Sequence, residues 1–169
     1  MRHIDSALER LTNVTEALLT LARVQSGGQI MRRIVPLEPL IDRVVRARKN
    51  VHVDCAPGVA AVTDERLLVE ALSNVVDNAG RHGGDGPVEL SAVFAGSHVR
   101  IAVTDHGPGV PADQRAAVLE RFHGAGPRSG LGLAIVNEAM TALGGTVTLG
   151  DAVGGGLVVA LELPGARLL

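Results

Sequence analysis

Two alternating runs, Val88 to Phe94 and Val99 to Thr104, joined only by Ala95-Gly96-Ser97, constrain this chain's fold more than any other feature. Apolar residues at every second position suit half-buried strands, and so short a loop makes the pair an antiparallel hairpin. Two further strands, Thr146 to Leu149 and Leu157 to Leu163, flank the Gly154-Gly155-Gly156 turn. Asp64 caps a helix running through Leu67, Leu68, Ala71, Leu72, Val75 and Val76. A second helix runs through Ala134, Ile135, Ala139, Met140 and Leu143. Because the later strands are sequential neighbours, the expected class is α+β, a two-layer α/β sandwich, and not a doubly wound parallel sheet.

The earlier part of the chain fits the same plan. Gln29 to Val35 alternates as a strand, and Pro36 to Arg48 reads as a helix with Leu37, Leu40, Ile41, Val44 and Val45 on its apolar side. Its basic run Arg43, Arg46, Arg48 and Lys49 reads as a solvated face. Val51 to Val53 and Ala60 to Val62 are short strands around the Pro57-Gly58 turn. Beyond Thr104, a helix is expected from about Pro111 to Arg121, followed by an irregular stretch from Phe122 to Ser129.

From Ile4 to Val24 the apolar residues recur at spacings of three and four, the pattern of an amphipathic helix, and Ser26-Gly27-Gly28 supplies its stop. Such a stripe needs other helices to cover it, which points to a bundle completed by another chain, with packing on its own domain as the alternative. The expected division is therefore a partial bundle helix over 1–27 and a globular domain over 28–169. Of the 169 residues 46% are apolar, yet only Phe94 and Phe122 are aromatic, so the core must be aliphatic. The formal charge of −2 gives no global basic field for nucleic acid or for an anionic membrane. No apolar run approaches the roughly 20 residues of a membrane span and no signal-peptide core is seen, so a cytoplasmic protein without direct membrane insertion is expected. The one cysteine, Cys55, reads as a strand position, and the six histidines form no zinc-like cluster.

Three segments carry chemistry. Asn74 and Asn78 share one helix face, and their uncharged amides can hold a hydrated cation or a phosphate; a pair of solvent-facing asparagines is the plainer alternative. Asp105-x-Gly107-x-Gly109 lies at a strand end, where a carboxylate can accept from an exocyclic amine and glycines admit a flat ring. Gly130-x-Gly132 opens a helix whose free N–H groups favour phosphate.

In this order the segments resemble the ATP-binding domain of two-component sensor histidine kinases, within the superfamily that includes gyrase-type and chaperone ATPases. Asn74 to His82 is similar to the N box, Asp105 to Gly109 to the G1 box, Arg121-Phe122 to the end of the F box, and Gly130 to Leu133 to the G2 box. Leu18 to Gly27 resembles the end of the second helix of the family's dimerisation and phosphotransfer hairpin. The resemblance implies ATP and Mg²⁺ as ligands. It implies that Asn78 coordinates Mg²⁺, that Asn74 lines the same site, and that Arg81 and His82 contact phosphate or ribose. Asp105 would bind the adenine amine, Gly107 and Gly109 would shape the adenine pocket, Gly130, Leu131 and Gly132 would close the phosphate end, and Arg128 would be a lid cation. The lid itself, His123 to Ser129, is short for the family.

The family's acceptor histidine is followed by an acid, then usually Arg, and by Pro five residues on. Neither His3 nor His52 fits that pattern. The expected function is therefore an ATP-binding histidine kinase component that phosphorylates a histidine on a separate, hairpin-bearing partner, docks through Ile4 to Val24, and serves a response regulator indirectly. Two other readings compete. Gyrase- or chaperone-like ATPases carry a glutamate four residues before the metal-binding asparagine, where Asn74 stands here, and a regulatory nucleotide-binding module would need no transfer at all.

Overall fold

The structure is a computed structural model in which residues 30–120 and 132–168 are described. The expected bundle helix from Ile4 to Val24 lies outside them, as do Arg121 to Leu131. Among the described residues the chain runs β1 (Arg33–Pro36), α1 (Leu37–Val45), β2 (Val51–Cys55), β3 (Val59–Thr63), α2 (Glu65–His82), β4 (Val88–Ala95), β5 (His98–Thr104), a 3₁₀ turn (Ala112–Gln114), α3 (Arg115–Leu119), α4 (Gly132–Leu143), β6 (Thr146–Asp151) and β7 (Leu157–Arg167).

The expected hairpin is present, with Leu90 opposite Val103 and Ala92 opposite Ile101. β7 lies along the other edge of β5, Ile101 facing Leu161, and β6 pairs back onto β7. The sheet order is β1-β3-β7-β5-β4-β2, with β6 beside β7. Alternation turns Leu90, Ala92, Val99, Ile101, Val103, Val159, Leu161 and Leu163 to one face, where they are buried. That core also takes Leu37, Leu40, Ile41 and Val44 of α1, Leu68, Leu72 and Val75 of α2, and Val136, Ala139, Met140 and Leu143 of α4. The opposite face carries Glu89, Val93, Arg100 and Glu162, the last two paired at 3.2 Å. This is the expected α+β two-layer sandwich, built from aliphatic residues.

Several boundaries move. β1 begins at Arg33 and not at Gln29, because Met31 leaves the sheet to donate its N–H to Asp64 Oδ2 at 3.0 Å. α1 stops at Val45, and Asn50 turns the chain with φ of 58°. β2 and β3, adjacent in sequence, do not pair: β2 joins β4 in parallel at one edge, whereas β3 lies between β1 and β7. The helix expected from Pro111 is a 3₁₀ turn followed by five residues of α3, ended by extended Glu120. Cys55 closes β2, as expected, and burial followed by the Glu38, Asp42 and Asp54 carboxylates pushes its thiol above the ordinary range, away from nucleophilic use.

The basic run of α1 is more than a solvated face. Arg43 reaches Glu65 at 2.6 Å, Arg33 bonds the same carboxylate, and Arg48 grips Asp77. The Arg43 and Arg33 hydrogen bonds hold the Glu65 carboxyl below its usual range.

Asp64, 7% exposed, caps α2 by accepting from Arg66 and Leu67 N–H at 3.1 and 3.3 Å through Oδ1, while Oδ2 holds Met31. Asp64→Ala removes all three bonds and is expected to lower stability by about 1–2 kcal/mol, read as a reduced denaturant midpoint with unchanged slope. Asp64→Asn, which keeps a capping oxygen, should recover most of that loss.

Candidate functional site

The site is assembled where the C-terminal end of α2 meets the end of β5. Leu67, Leu68, Ala71, Leu72, Val75, Val76 and Ala79 bury one side of α2. Asn74 and Asn78 fall beside that stripe, half-buried and one turn apart, while Asp77, Arg81 and His82 are exposed. The Asn74 amide donates to the Glu70 carbonyl at 3.1 Å, which fixes its orientation along the helix. Arg81 and His82 occupy the last turn, where the Arg81 charge suits the negative end of the helix dipole. Arg81 Nε donates to the Asp77 carbonyl at 3.2 Å.

Asp105, at the end of β5, is 5% exposed. Its Oδ1 accepts two backbone N–H bonds, from Gly107 at 2.9 Å and from Leu157 at 3.2 Å, and its own N–H donates to the Leu157 carbonyl at 2.9 Å. The carboxylate is thereby held rigidly between the G1-type turn and the start of β7. His106 faces outward to Glu89, with Nε2 3.6 Å from Oε1.

Glycines bring these pieces into contact. A Cβ on Gly107 would collide with the His82 carbonyl and lie 3.1 Å from Gly83 Cα, so only glycine lets this turn sit directly against the end of α2. A Cβ on Gly83 would stand 2.7 Å from Asp105 Cβ. Gly156, with φ of 115°, backs onto the Asp105 carbonyl with no space for a side chain. Gly109 turns the loop with φ of 71°, and a Cβ there would sit 3.0 Å from the Gly156 carbonyl oxygen. Arg115 then fastens this loop, donating to the Val110 carbonyl at 3.0 Å and pairing with Asp151 of β6.

The structure thus joins Asn74, Asn78, Arg81 and His82 to Asp105, Gly107 and Gly109 through one short seam. Gly132 opens α4, which packs along α2, and no described residue approaches a Cβ built on it within 4 Å. Arg128, Gly130 and Leu131 lie outside the described residues. Sequence reasoning missed Gly83, Gly156 and the Leu157 N–H. Three successive glycines, more than a turn requires, were the available signal for Gly156.

A family model for the histidine kinase-, DNA gyrase B- and HSP90-like ATPases matches residues 63–167, which hold the whole described seam. The chain belongs to this ATPase family. Within the family it is 36% identical over 174 aligned positions to the signal transduction histidine-protein kinase AfsQ2 of Streptomyces coelicolor, covering 97% of this chain and 32% of that protein. Against the histidine-protein kinase/phosphatase MprB of Mycolicibacterium smegmatis it is 35% identical, covering 98% of this chain and 37% of that protein. The chain therefore spans about a third of the length of the curated relatives it matches. Among solved structures, the mycobacterial sensor histidine kinase MprB superposes with a TM-score of 0.69 at 30% identity, covering 82% of this chain and all of that one. The full-length ShkA structure, in complex with AMPPNP, gives 0.77 at 30% identity over 99% of this chain and 39% of that one. The family's histidine kinase ATP-binding domains thus share both sequence and fold with this chain.

Proposed function

We propose that this chain is the ATP-binding component of a two-component histidine kinase, and that it transfers the γ-phosphate of ATP to a histidine on a separate hairpin-bearing protein, with a response regulator downstream. In this reading residues 28–169 are the catalytic domain, acting in the cytoplasm, and 1–27 supply a bundle helix that docks on the partner. Among the described residues no helix is long and apolar enough to cross a membrane.

The observation that carries the reading is the identity and setting of Asn74. Where a hydrolase of this superfamily needs a carboxylate to activate water, this chain has an amide whose nitrogen is already committed to the Glu70 carbonyl. Nearby Asp77 offers no substitute, since both its oxygens are taken by Arg48, at 2.7 and 2.8 Å. An amide at position 74 and an occupied Asp77 suit a site that holds ATP for an outside nucleophile.

The donor set fits Mg·ATP. Asp105 spends Oδ1 on two backbone N–H groups, which leaves Oδ2 to accept from an adenine amine, and burial makes that acceptor selective. The glycine seam of Gly107 and Gly109 keeps the floor of the pocket to backbone thickness. Asn78 offers an uncharged oxygen to Mg²⁺, Asn74 lines the same helix face, and Arg81 and His82 present donors to phosphate or ribose. Bound Mg²⁺ would neutralise phosphate charge during phosphoryl transfer. Gly130, Leu131, Gly132 and Arg128 complete the phosphate end in this reading.

The test is incubation of the chain with [γ-³²P]ATP and Mg²⁺, with and without a protein carrying an acceptor-histidine hairpin. Label is expected on the partner, stable to base and labile to acid. Label on this chain alone, at His3, would overturn transfer in trans, and Mg·ATP binding without any transfer would favour a regulatory module.

A further inference from the structure

Arg48, Asp77 and Arg81 form a relay from the turn after α1 to the last turn of α2. The Arg48 fork meets Asp77 edge-on, Nε to Oδ1 at 2.7 Å and Nη2 to Oδ2 at 2.8 Å, and its remaining nitrogen, Nη1, bonds the Val44 carbonyl. All three guanidinium nitrogens are thus engaged, and the side chain is 23% exposed against 48% for Asp77. Among the described residues Arg81, four residues after Asp77, bonds that residue's carbonyl, at 3.2 Å.

This arrangement is unusual for what it avoids. An aspartate four residues ahead of an arginine on a helix is placed for an ion pair with it. Here the carboxylate is matched instead by a bidentate partner from the turn after α1, whose planar fork holds both oxygens. We propose that Arg48 is a positioning residue: by occupying the Asp77 carboxylate, it keeps the Arg81 guanidinium available to a nucleotide phosphate. Without Arg48, the freed carboxylate turns to Arg81, cancels its charge and competes with the triphosphate. The inference rests on the reading of Arg81 as a phosphate contact.

A brace between the turn after α1 and α2 would use the same bonds, and the two roles give opposite patterns. Titration of the full chain with Mg·AMPPNP by calorimetry should show Arg48→Ala binding about two- to fivefold more weakly, the worth of one exposed ion pair. Asp77→Asn should stay within about twofold of the unsubstituted chain, because the Asp77 carboxylate is then no longer there to compete, and the double variant should recover to the same level. If Asp77→Asn is as weak as Arg48→Ala and the double variant no better, the pair is a brace and the proposal fails. Unchanged binding by Arg48→Ala also overturns it. Arg48→Gln, which keeps most of the stem, repeats the comparison should the alanine variant melt early. Arg81→Ala separates the two levels: a weakened variant upholds the phosphate reading, whereas unchanged binding overturns that reading and the proposal with it.

Discussion

Replacing Asn78 with alanine is expected to remove the Mg²⁺ dependence of nucleotide binding and to reduce phosphoryl transfer by two to three orders of magnitude. The expectation follows from the position of the residue. Asn78 is half-buried beside the core stripe of α2, one turn after Asn74, and the end of its helix is locked against the Asp105 turn. Loss of one oxygen directed at a cation typically costs on the order of ten- to a hundredfold in metal affinity, and misplacing a phosphate-bound charge adds to the barrier for transfer. Because the side chain lies outside the buried set of α2, the variant should melt within a few degrees of the unsubstituted chain. The check is a pair of titrations with AMPPNP, one with Mg²⁺ and one with EDTA. They should differ strongly for the natural chain and little for Asn78→Ala.

Gly156→Ala should produce the largest loss of stability, about 2–4 kcal/mol, a fall in melting temperature of roughly 10 °C. Two penalties combine at this position. The backbone has φ of 115°, a region closed to side-chain-bearing residues, and the new methyl would be driven into the Asp105 carbonyl and to within 2.9 Å of His106 Cα. Relief requires Asp105 to shift, so weakened nucleotide binding should accompany the lost stability. Gly154→Ala is the matched control. Its φ of 88° carries strain, but a Cβ there meets nothing within 4 Å, so a loss of only about 1 kcal/mol is expected by differential scanning calorimetry.

What could be read in the sequence was what short-range physics encodes. Strict alternation from Val88 to Thr104 specified both the hairpin and its inward face, and the 3.6-residue stripe from Leu67 to Val76 specified α2 and left Asn74 and Asn78 off its buried side. The order Asn-x-x-x-Asn, Asp-x-Gly-x-Gly, Gly-x-Gly then pointed to the family. Features set by tertiary geometry were not legible. The parallel pairing of β2 with β4 joins residues more than thirty positions apart, and neither strand's pattern names its neighbour. Arg43 and Arg48 looked like solvated charges because a side chain's partner on another helix leaves no local trace, yet they hold Glu65 and Asp77. The Gly154-Gly155-Gly156 run signalled one glycine more than a turn requires, but not that its last member packs on the Asp105 carbonyl more than fifty positions away.

The same geometry favours the proposed transfer over hydrolysis. A carboxylate at position 74 would allow water to be activated beside the metal; the amide found there, fixed to Glu70, does not. Family membership and fold leave the ATP-binding role of the Asn78–Asp105 seam as the central claim, on which transfer in trans depends. Calorimetric titration of the chain with Mg·AMPPNP tests it most directly, alongside Asp105→Ala. Saturable, one-to-one binding in the micromolar range that Asp105→Ala abolishes is expected; absence of binding at millimolar nucleotide, or undiminished binding by Asp105→Ala, would overturn the ATP-binding role.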